Sequence, residues 1–170
     1  NGGWLGQQVE LLATDNRSDV ETSISQYERF INVDKVALTF GTFSSKLTFP
    51  TSTILSKYNY ALPIPSGGAL RIYRRGFKNL FYFQPKAAEY YGENFISVIK
   101  DLASAADQPK TVAVAHADDF FANSIANGLL GNKVKLPGSG ELVEDMAPGY
   151  VVEAGMDLVY HEQWPEEGFS

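Results

Sequence analysis

Short apolar runs alternate with longer segments of helical periodicity along this chain. Six runs of four to six residues have the alternating or wholly apolar character of strands: 8–13, 35–40, 61–64, 80–83, 111–116 and 156–160. Between them, apolar residues recur at helical spacing over about 20–31, 46–58, 87–103 and 120–129. Residues 141–154 fit neither period, because Pro148-Gly149 interrupts any helix there. Strands alternating with helices predict an α/β fold with a mainly parallel sheet.

Polar corners follow two successive predicted strands. The first is the small-residue turn Gly41–Ser45, and a helical pattern opens at Lys46. Serine hydroxyls and free backbone N–H groups at a helix N-terminus bind a carboxylate or phosphate, although a serine there can equally be a plain N-cap. The second corner is 65–68, with Ser66, Gly67 and Gly68 after a proline. Together the corners predict a small-ligand cleft at the carboxyl edge of an open α/β sheet.

The composition argues against several classes of partner. The 170 residues are 44% hydrophobic and 20% charged, which is ordinary for a globular protein. A formal charge of −6 argues against nucleic acid and anionic membrane as partners, and the basic cluster Arg71–Arg75 is too short to outweigh it. No apolar run approaches the ~18 residues that a membrane span needs.

The same composition excludes several kinds of chemistry. Cysteine is absent, and two histidines, His116 and His161, leave little room for a metal site. No G-x-S-x-G elbow of a serine hydrolase is present. We interpret Asp118 and Asp119 as helix-capping residues rather than paired catalytic carboxylates. We therefore expect no enzyme activity, no catalytic residues, no metal and no cofactor.

Several motifs resemble one known family in order and spacing. Residues 2–11 match its pattern GG-x-x-G-x-x-V-E-L, and residues 15–19 match D-N-x-S-D/N. Residues 118–122 resemble D-D-x-F/Y-G, although Ala122 replaces the glycine. The family is the periplasmic solute-binding proteins of branched-chain amino acid ABC transporters, of the leucine/isoleucine/valine type. The resemblance extends over nearly the whole chain.

The resemblance implies a type I periplasmic-binding-protein fold: two Rossmann-like lobes with mainly parallel sheets. Residues 1–108 would form lobe one without its first strand and its C-terminal return, and residues 109–170 would begin lobe two. The chain would then be an N-terminal portion of a longer protein, with the second lobe incomplete.

The resemblance also implies roles for the corner residues. Ser45, with Ser44 beside it, falls where the family's serine holds the ligand α-carboxylate through its hydroxyl and backbone N–H. Ser66 falls where a backbone carbonyl takes the ligand's ammonium group, and Gly67 completes that turn. Gly68 falls where branched-chain amino acid binders carry a threonine, so this chain lacks one hydroxyl of the site.

Two aromatic positions complete the set of predicted ligand-binding residues. Phe121 falls where an aromatic side chain of lobe two lines the cleft, and a core phenylalanine is the equal alternative. Tyr90 or Tyr91 could reach the cleft, with surface or lobe packing as the alternative.

The function that the resemblance implies is transport. A monomer in the periplasm or outside the cell, membrane-associated if it is a lipoprotein, would capture a small carboxylate such as a branched-chain or other amino acid. It would deliver that ligand to the membrane permease of an ABC transporter. The alternatives are a ligand-sensing domain on the same fold and a binding protein for aromatic or short organic acids.

Overall fold

Helices and short strands alternate along the chain. The computed structural model describes residues 3–102, 104–132, 134–135, 142–143 and 148–166. The helices in these ranges are α1 (Val20–Asn32), α2 (Ser45–Lys57), α3 (Leu70–Tyr73), α4 (Tyr91–Leu102), α5 (Phe120–Leu130) and α6 (Tyr150–Glu153), and a 3-10 turn, Ala88–Tyr90, leads into α4. The strands are β1 (Leu62–Ile64), β2 (Leu80–Tyr82), β3 (Thr111–Ala117), β4 (Val134–Lys135), β5 (Leu142–Val143) and β6 (Asp157–Trp164). None of the described helices is long and apolar enough to cross a membrane.

Three helices begin at capping side chains, of which Ser44 and Asp119 are the ones that the sequence predicts. The Asp19 carboxylate accepts a hydrogen bond from the Thr22 N–H at 2.7 Å, and the Ser44 hydroxyl accepts one from the Leu47 N–H at 3.1 Å. Asp119 accepts from the N–H groups of the second and third residues of α5 at 3.0 and 2.8 Å. Each side chain satisfies donors that the first helical turn leaves without an intrahelical partner.

The strands pair mainly in parallel, as predicted. β1 pairs with β2 in register Leu62↔Leu80, and β3 pairs with β6 from Thr111↔Asp157 onward. The short pair β4–β5 is antiparallel. In both parallel pairs the carboxyl ends of the strands lie side by side, which is the edge where ligands bind in open α/β sheets.

Two predicted strands are wrong. Residues 8–13 and 35–40 belong to no strand in the structure. Residues 36–41 run beside β1 but bond to its chain only at isolated points, such as the Gly41 N–H to the Pro63 carbonyl at 2.7 Å. Alternation of apolar residues predicts a strand only if a neighbouring backbone completes the ladder, and within the described ranges neither segment has one.

Two clusters of buried residues hold the elements together. The first joins α1, α2 and β1 and consists of Tyr27, Ile31, Leu55, Leu62 and Ile64. The second consists of Ile96 on α4 with Val151 and Met156. The helix α4, which the prediction assigns to lobe one, therefore packs on residues of the segment after position 108.

We predict that Leu55→Ala lowers the free energy of unfolding by about 2–5 kcal/mol, because Leu55 is 0% exposed and the surrounding side chains cannot fill the space it leaves. Urea unfolding would measure the change. The control is Leu102→Ala, the same chemical change at a side chain that is 82% exposed. A loss of similar size in both variants would contradict the assignment of this core.

Candidate ligand-binding cleft

A polar cavity of about 290 Å³ lies between α3 and the 3-10 turn on one side and β3, α5 and β6 on the other. Its charged and aromatic lining groups are Arg71, Glu89, His116, His161 and Phe120. The remaining lining is mostly amide and hydroxyl side chains: Asn123, Ser124, Asn127, Asn132 and Gln163, with Ala126. The cavity thus lies between elements from the two predicted lobes and at the carboxyl end of the β3–β6 pair.

Arg71 reaches this cavity from the first turn of α3. Its guanidinium lies 4.1 Å from the centre of the Phe120 ring and 5.6 Å from that of Phe49, and those two rings are 5.2 Å apart. Desolvation lowers the pKa of Arg71, and the nearby charge of Glu89 opposes that shift. Arginine remains protonated even so, so the cavity contains a fixed positive charge held against an aromatic face.

Glu89 is buried at the end of α3 that carries Arg71. Its two carboxyl oxygens accept the Leu70 N–H at 3.2 and 2.9 Å, and only 1% of the residue is exposed. Burial raises the pKa of Glu89, against the hydrogen bonds from Leu70 and Ser124 and the charge of Arg71. Glu89 therefore links the 3-10 turn to the start of α3, with Ser124 of α5 beside it.

The two histidines meet at the strand end of the cavity. Their Nε2 atoms are 3.0 Å apart, and the His116 Nδ1 lies 2.9 Å from the Ala117 carbonyl oxygen. A carbonyl only accepts, so His116 carries its proton on Nδ1 and, when neutral, accepts at Nε2 from His161. The pair is thereby satisfied internally, and within the described residues no group of three or more His, Cys, Asp or Glu could hold a metal ion.

The two predicted corners come together beside this cavity. The Ser45 hydroxyl, which is 0% exposed, accepts a hydrogen bond from the Ala69 N–H at 3.2 Å. Gly67 lies so close to α2 that a Cβ on it would be 2.5 Å from the Thr48 hydroxyl. The N-terminus of α2 is thus closed by the second corner.

No family model matches the chain, but solved structures resemble it closely in fold. The branched-chain amino acid transporter substrate-binding protein LivJ from Streptococcus pneumoniae, in complex with isoleucine, matches with a TM-score of 0.71 and 17% identity over 99% of this chain and 41% of that chain. A solute-binding protein from R. palustris in complex with benzoate matches with a TM-score of 0.71 and 14% identity over 96% and 39%. A substrate-binding protein from Desulfitobacterium hafniense in complex with Leu matches with a TM-score of 0.64 and 15% identity over 98% and 42%.

The chain has the fold of the ABC transporter substrate-binding proteins. This confirms the predicted fold class, an α/β structure of the type I periplasmic-binding-protein kind. The chain spans about two fifths of the length of the solved structures that it matches.

The predicted site residues lie around the cavity rather than in its wall. Ser44 caps α2, and Ser45, Gly67 and Gly68 are inside the joined corners. The carbonyl of Gly67 accepts from the Tyr73 hydroxyl and that of Gly68 from the Ala88 N–H, both at 2.8 Å. Ser66, between Pro65 and Gly67, is half-buried.

The two predicted aromatic residues are placed apart. The Phe121 ring meets the ring of Tyr91 edge to face, with centres 5.8 Å apart. Tyr90 instead lines a second cavity, of about 420 Å³, together with Tyr73 and Tyr82. Phe121 and Tyr90 therefore do not face each other across one space.

Sequence reasoning missed the two charged residues that line the main cavity. In the sequence Arg71 belongs to a short basic cluster, and no motif marks Glu89. The available indication was Glu89 among apolar residues at the start of a helical pattern, since a charged residue is rarely buried without a partner.

Another side chain fills the space that a threonine at position 68 would need. A Cβ on Gly68 would lie 2.4 Å from the Tyr82 hydroxyl oxygen and 3.3 Å from the ring carbon that bears it. Tyr82 therefore occupies the space that a threonine side chain would need, and it brings a hydroxyl group of its own.

We predict that Gly68→Ala lowers the free energy of unfolding by about 1–3 kcal/mol through overpacking against Tyr82. Tyr82→Phe removes the clashing oxygen, so the double variant should lose less stability than the sum of the two single variants. A double-mutant cycle in urea measures this coupling. Strict additivity would show that the two residues do not share this space.

We predict that Glu89 makes stability fall as the pH rises. The folded protein holds the Glu89 proton more tightly than the unfolded chain, whose carboxyl has the ordinary pKa of 4.5. The contribution is thus fully present below 4.5 and is lost as the pH rises through the higher folded pKa. Glu89→Gln removes this titration, so urea unfolding from acid to neutral pH should show a flatter profile. Identical pH profiles for both proteins would contradict the raised pKa.

Proposed function

We propose that the protein is an extracytoplasmic substrate-binding protein that captures a small carboxylate between two lobes and delivers it to the permease of an ABC transporter. The observation that supports this most is the polar cavity between residues of the two predicted lobes in a chain with this fold. Structures with this fold have been solved with isoleucine, leucine and benzoate bound. All three of these ligands are small carboxylic acids.

The mechanism that we infer is closure around the ligand. The two segments already pack together beside the cavity, through Ile96 of α4 on Val151 and Met156, the ion pair of Lys46 with Glu166 at 2.9 Å and the Phe49–Phe120 ring pair. A ligand in the cavity would add contacts to both sides and would favour the closed arrangement by its difference in affinity for the two states. The closed form would then be the one that the permease recognises.

The joined corners support the side of the cavity that carries Arg71. Ser45 is buried and holds the Ala69 N–H, the residue just before α3. The Ser45 backbone N–H, in the first turn of α2, and the helix dipole add positive potential on that side. The ligand carboxylate would therefore be drawn to the side of the cavity that Arg71 lines.

Aromatic acids are a second ligand class with a specific observation behind them. The second cavity is lined by the rings of Tyr73, Tyr82 and Tyr90, with Gln84 and Lys86 among its polar groups. Rings of this kind pack against a flat aromatic ligand. A second R. palustris solute-binding protein with this fold was solved with 4-hydroxybenzoate, with a TM-score of 0.67 and 12% identity.

A thermal-shift panel tests the proposed function. We expect one or more acids among amino acids, hydroxy acids and aromatic acids to raise the melting temperature, since a ligand at about 100 times its dissociation constant adds about 2.7 kcal/mol of stability. The methyl esters of the same acids are the matched controls. No stabilisation by any acid, confirmed by calorimetric titration, would overturn the proposal.

We predict that Ser45→Ala weakens carboxylate binding and also lowers the free energy of unfolding by about 1–3 kcal/mol, because the buried Ala69 N–H loses its partner. Ser44→Ala is the matched control, since it removes only the N-cap bond to the Leu47 N–H. Calorimetric titration and urea unfolding of both variants provide the two readouts. Unchanged ligand affinity in Ser45→Ala would overturn the assignment of Ser45 to the site.

A further inference from the structure

Among the residues that the structure describes, the guanidinium of Arg71 has no polar partner. Within the described part of the chain it makes no hydrogen bond and no ion pair, and its contacts are the faces of Phe120 and Phe49 at 4.1 and 5.6 Å. Glu89 acts on it only through its nearby charge. A guanidinium carries five N–H donors, so this side chain brings a full set of unused donors to the cavity.

Arg75, one turn further along the chain, shows what a structural arginine looks like in this protein. Its donors reach the carbonyls of Ile72 and Phe49 at 3.1 and 3.0 Å and the hydroxyls of Thr53 and Ser52 at 2.9 and 2.5 Å. Two arginines near the same Phe49 ring thus differ sharply. Each of the three guanidinium nitrogens of Arg75 donates a hydrogen bond. Among the described residues, Arg71 contacts aromatic rings and donates none.

Stacking also orients Arg71. The Phe120 ring centre lies 4.1 Å from the central carbon of the guanidinium, and no described residue accepts a hydrogen bond from its N–H groups. An arginine held in this way is arranged in advance for two parallel hydrogen bonds to a carboxylate, and it loses less side-chain freedom on binding.

The rest of the cavity wall is unusually polar for a ligand pocket. Ligand pockets are mostly apolar with a few polar groups, whereas here Phe120 is the one ring among the described wall residues apart from the paired imidazoles. The Asn127 side-chain amide also makes no hydrogen bond to the described residues. An aliphatic side chain placed against Arg71 and Asn127 would leave these donors and acceptors unpaired, which strongly disfavours binding.

We propose that Arg71 binds the carboxylate of the ligand and that the cavity selects small carboxylic acids whose other atoms form hydrogen bonds. This inference rests on the proposed function and specifies its ligand class. Glu89, beside Arg71, offers the opposite charge to an ammonium group. Polar amino acids and hydroxy acids share the required chemistry, and the experiment separates them.

The test is calorimetric titration with serine, glutamine, lactate and malate as polar acids and with leucine and isoleucine as aliphatic acids. We expect the wild-type protein to bind at least one polar acid more tightly than either aliphatic acid, and to prefer that acid to its primary amide. Arg71→Met should weaken binding of the acid by roughly 10- to 100-fold and remove the preference over the amide. If serine or glutamine binds and neither lactate nor malate does, the ligand is an amino acid. If lactate or malate binds and neither serine nor glutamine does, the ligand is a hydroxy acid.

Two further variants keep the result interpretable. Arg74→Met makes the same change at an exposed neighbour outside the cavity wall and should bind like the wild type. Arg71→Lys keeps the charge but loses the paired donors, so its affinity should lie between those of the wild type and Arg71→Met. Thermal unfolding shows whether each variant is folded.

The outcomes separate the inference from the function on which it rests. Wild-type binding of acids that survives unchanged in folded Arg71→Met or Arg71→Lys overturns the role of Arg71 and leaves the proposed function standing. Tighter binding of leucine or isoleucine than of every polar acid overturns the ligand class alone. Failure of the wild type to bind any acid overturns the proposed function, and the inference with it.

Discussion

The arrangement of the candidate cleft depends on one close contact between backbones. A Cβ on Gly128 would lie 1.9 Å from the Glu89 carbonyl oxygen, so only glycine lets α5 approach the 3-10 turn this closely. Gly92 allows a similar approach, because a Cβ there would meet the Leu129 side chain at 2.4 Å. The position of α5 along that turn brings Ser124 to Glu89 and, one turn earlier, Phe120 to Arg71. Both sides of the cavity are therefore positioned by the same packing of α5.

Glu89 connects that packing to the ligand side of the cavity. A buried carboxylate is costly unless it is hydrogen-bonded, and here it receives the Leu70 N–H, with Ser124 beside it. Because Leu70 is the first residue of α3, the bond fixes the helix that presents Arg71. The partly compensated negative charge of Glu89 also explains how Arg71 can remain half-buried without a direct partner. The two residues are thus linked through α3, because Glu89 holds the start of the helix that carries Arg71 and leaves the donors of Arg71 available.

Local chemistry made part of this structure predictable. Asp19, Ser44 and Asp119 cap the helices that follow them, since a cap depends on only three or four neighbouring residues. The apolar run of β3 likewise marks a paired strand. The segments 8–13 and 35–40 show the limit, because a strand requires a partner that no local pattern contains. The roles of Arg71 and Glu89 were hidden for the same reason, since their burial comes from α5, which lies 30 or more residues later in the sequence.

Gly68 and Tyr82 show why residue roles transfer less reliably than the fold. The fold places a corner after β1 in this chain as in the family that it resembles, but the hydroxyl at that corner comes from a different strand. Tyr82, on β2, fills the space next to Gly68, and the Tyr73 hydroxyl donates a hydrogen bond to the Gly67 carbonyl. If residue roles were transferred from the family position by position, both tyrosines would be ignored. The ligand carboxylate would then be assigned to Ser45 alone, which is fully buried. The fold determines the shape of the cleft. The preference among ligands depends instead on the side chains that keep unused hydrogen-bond donors within the cleft, and in this chain Arg71 is such a side chain.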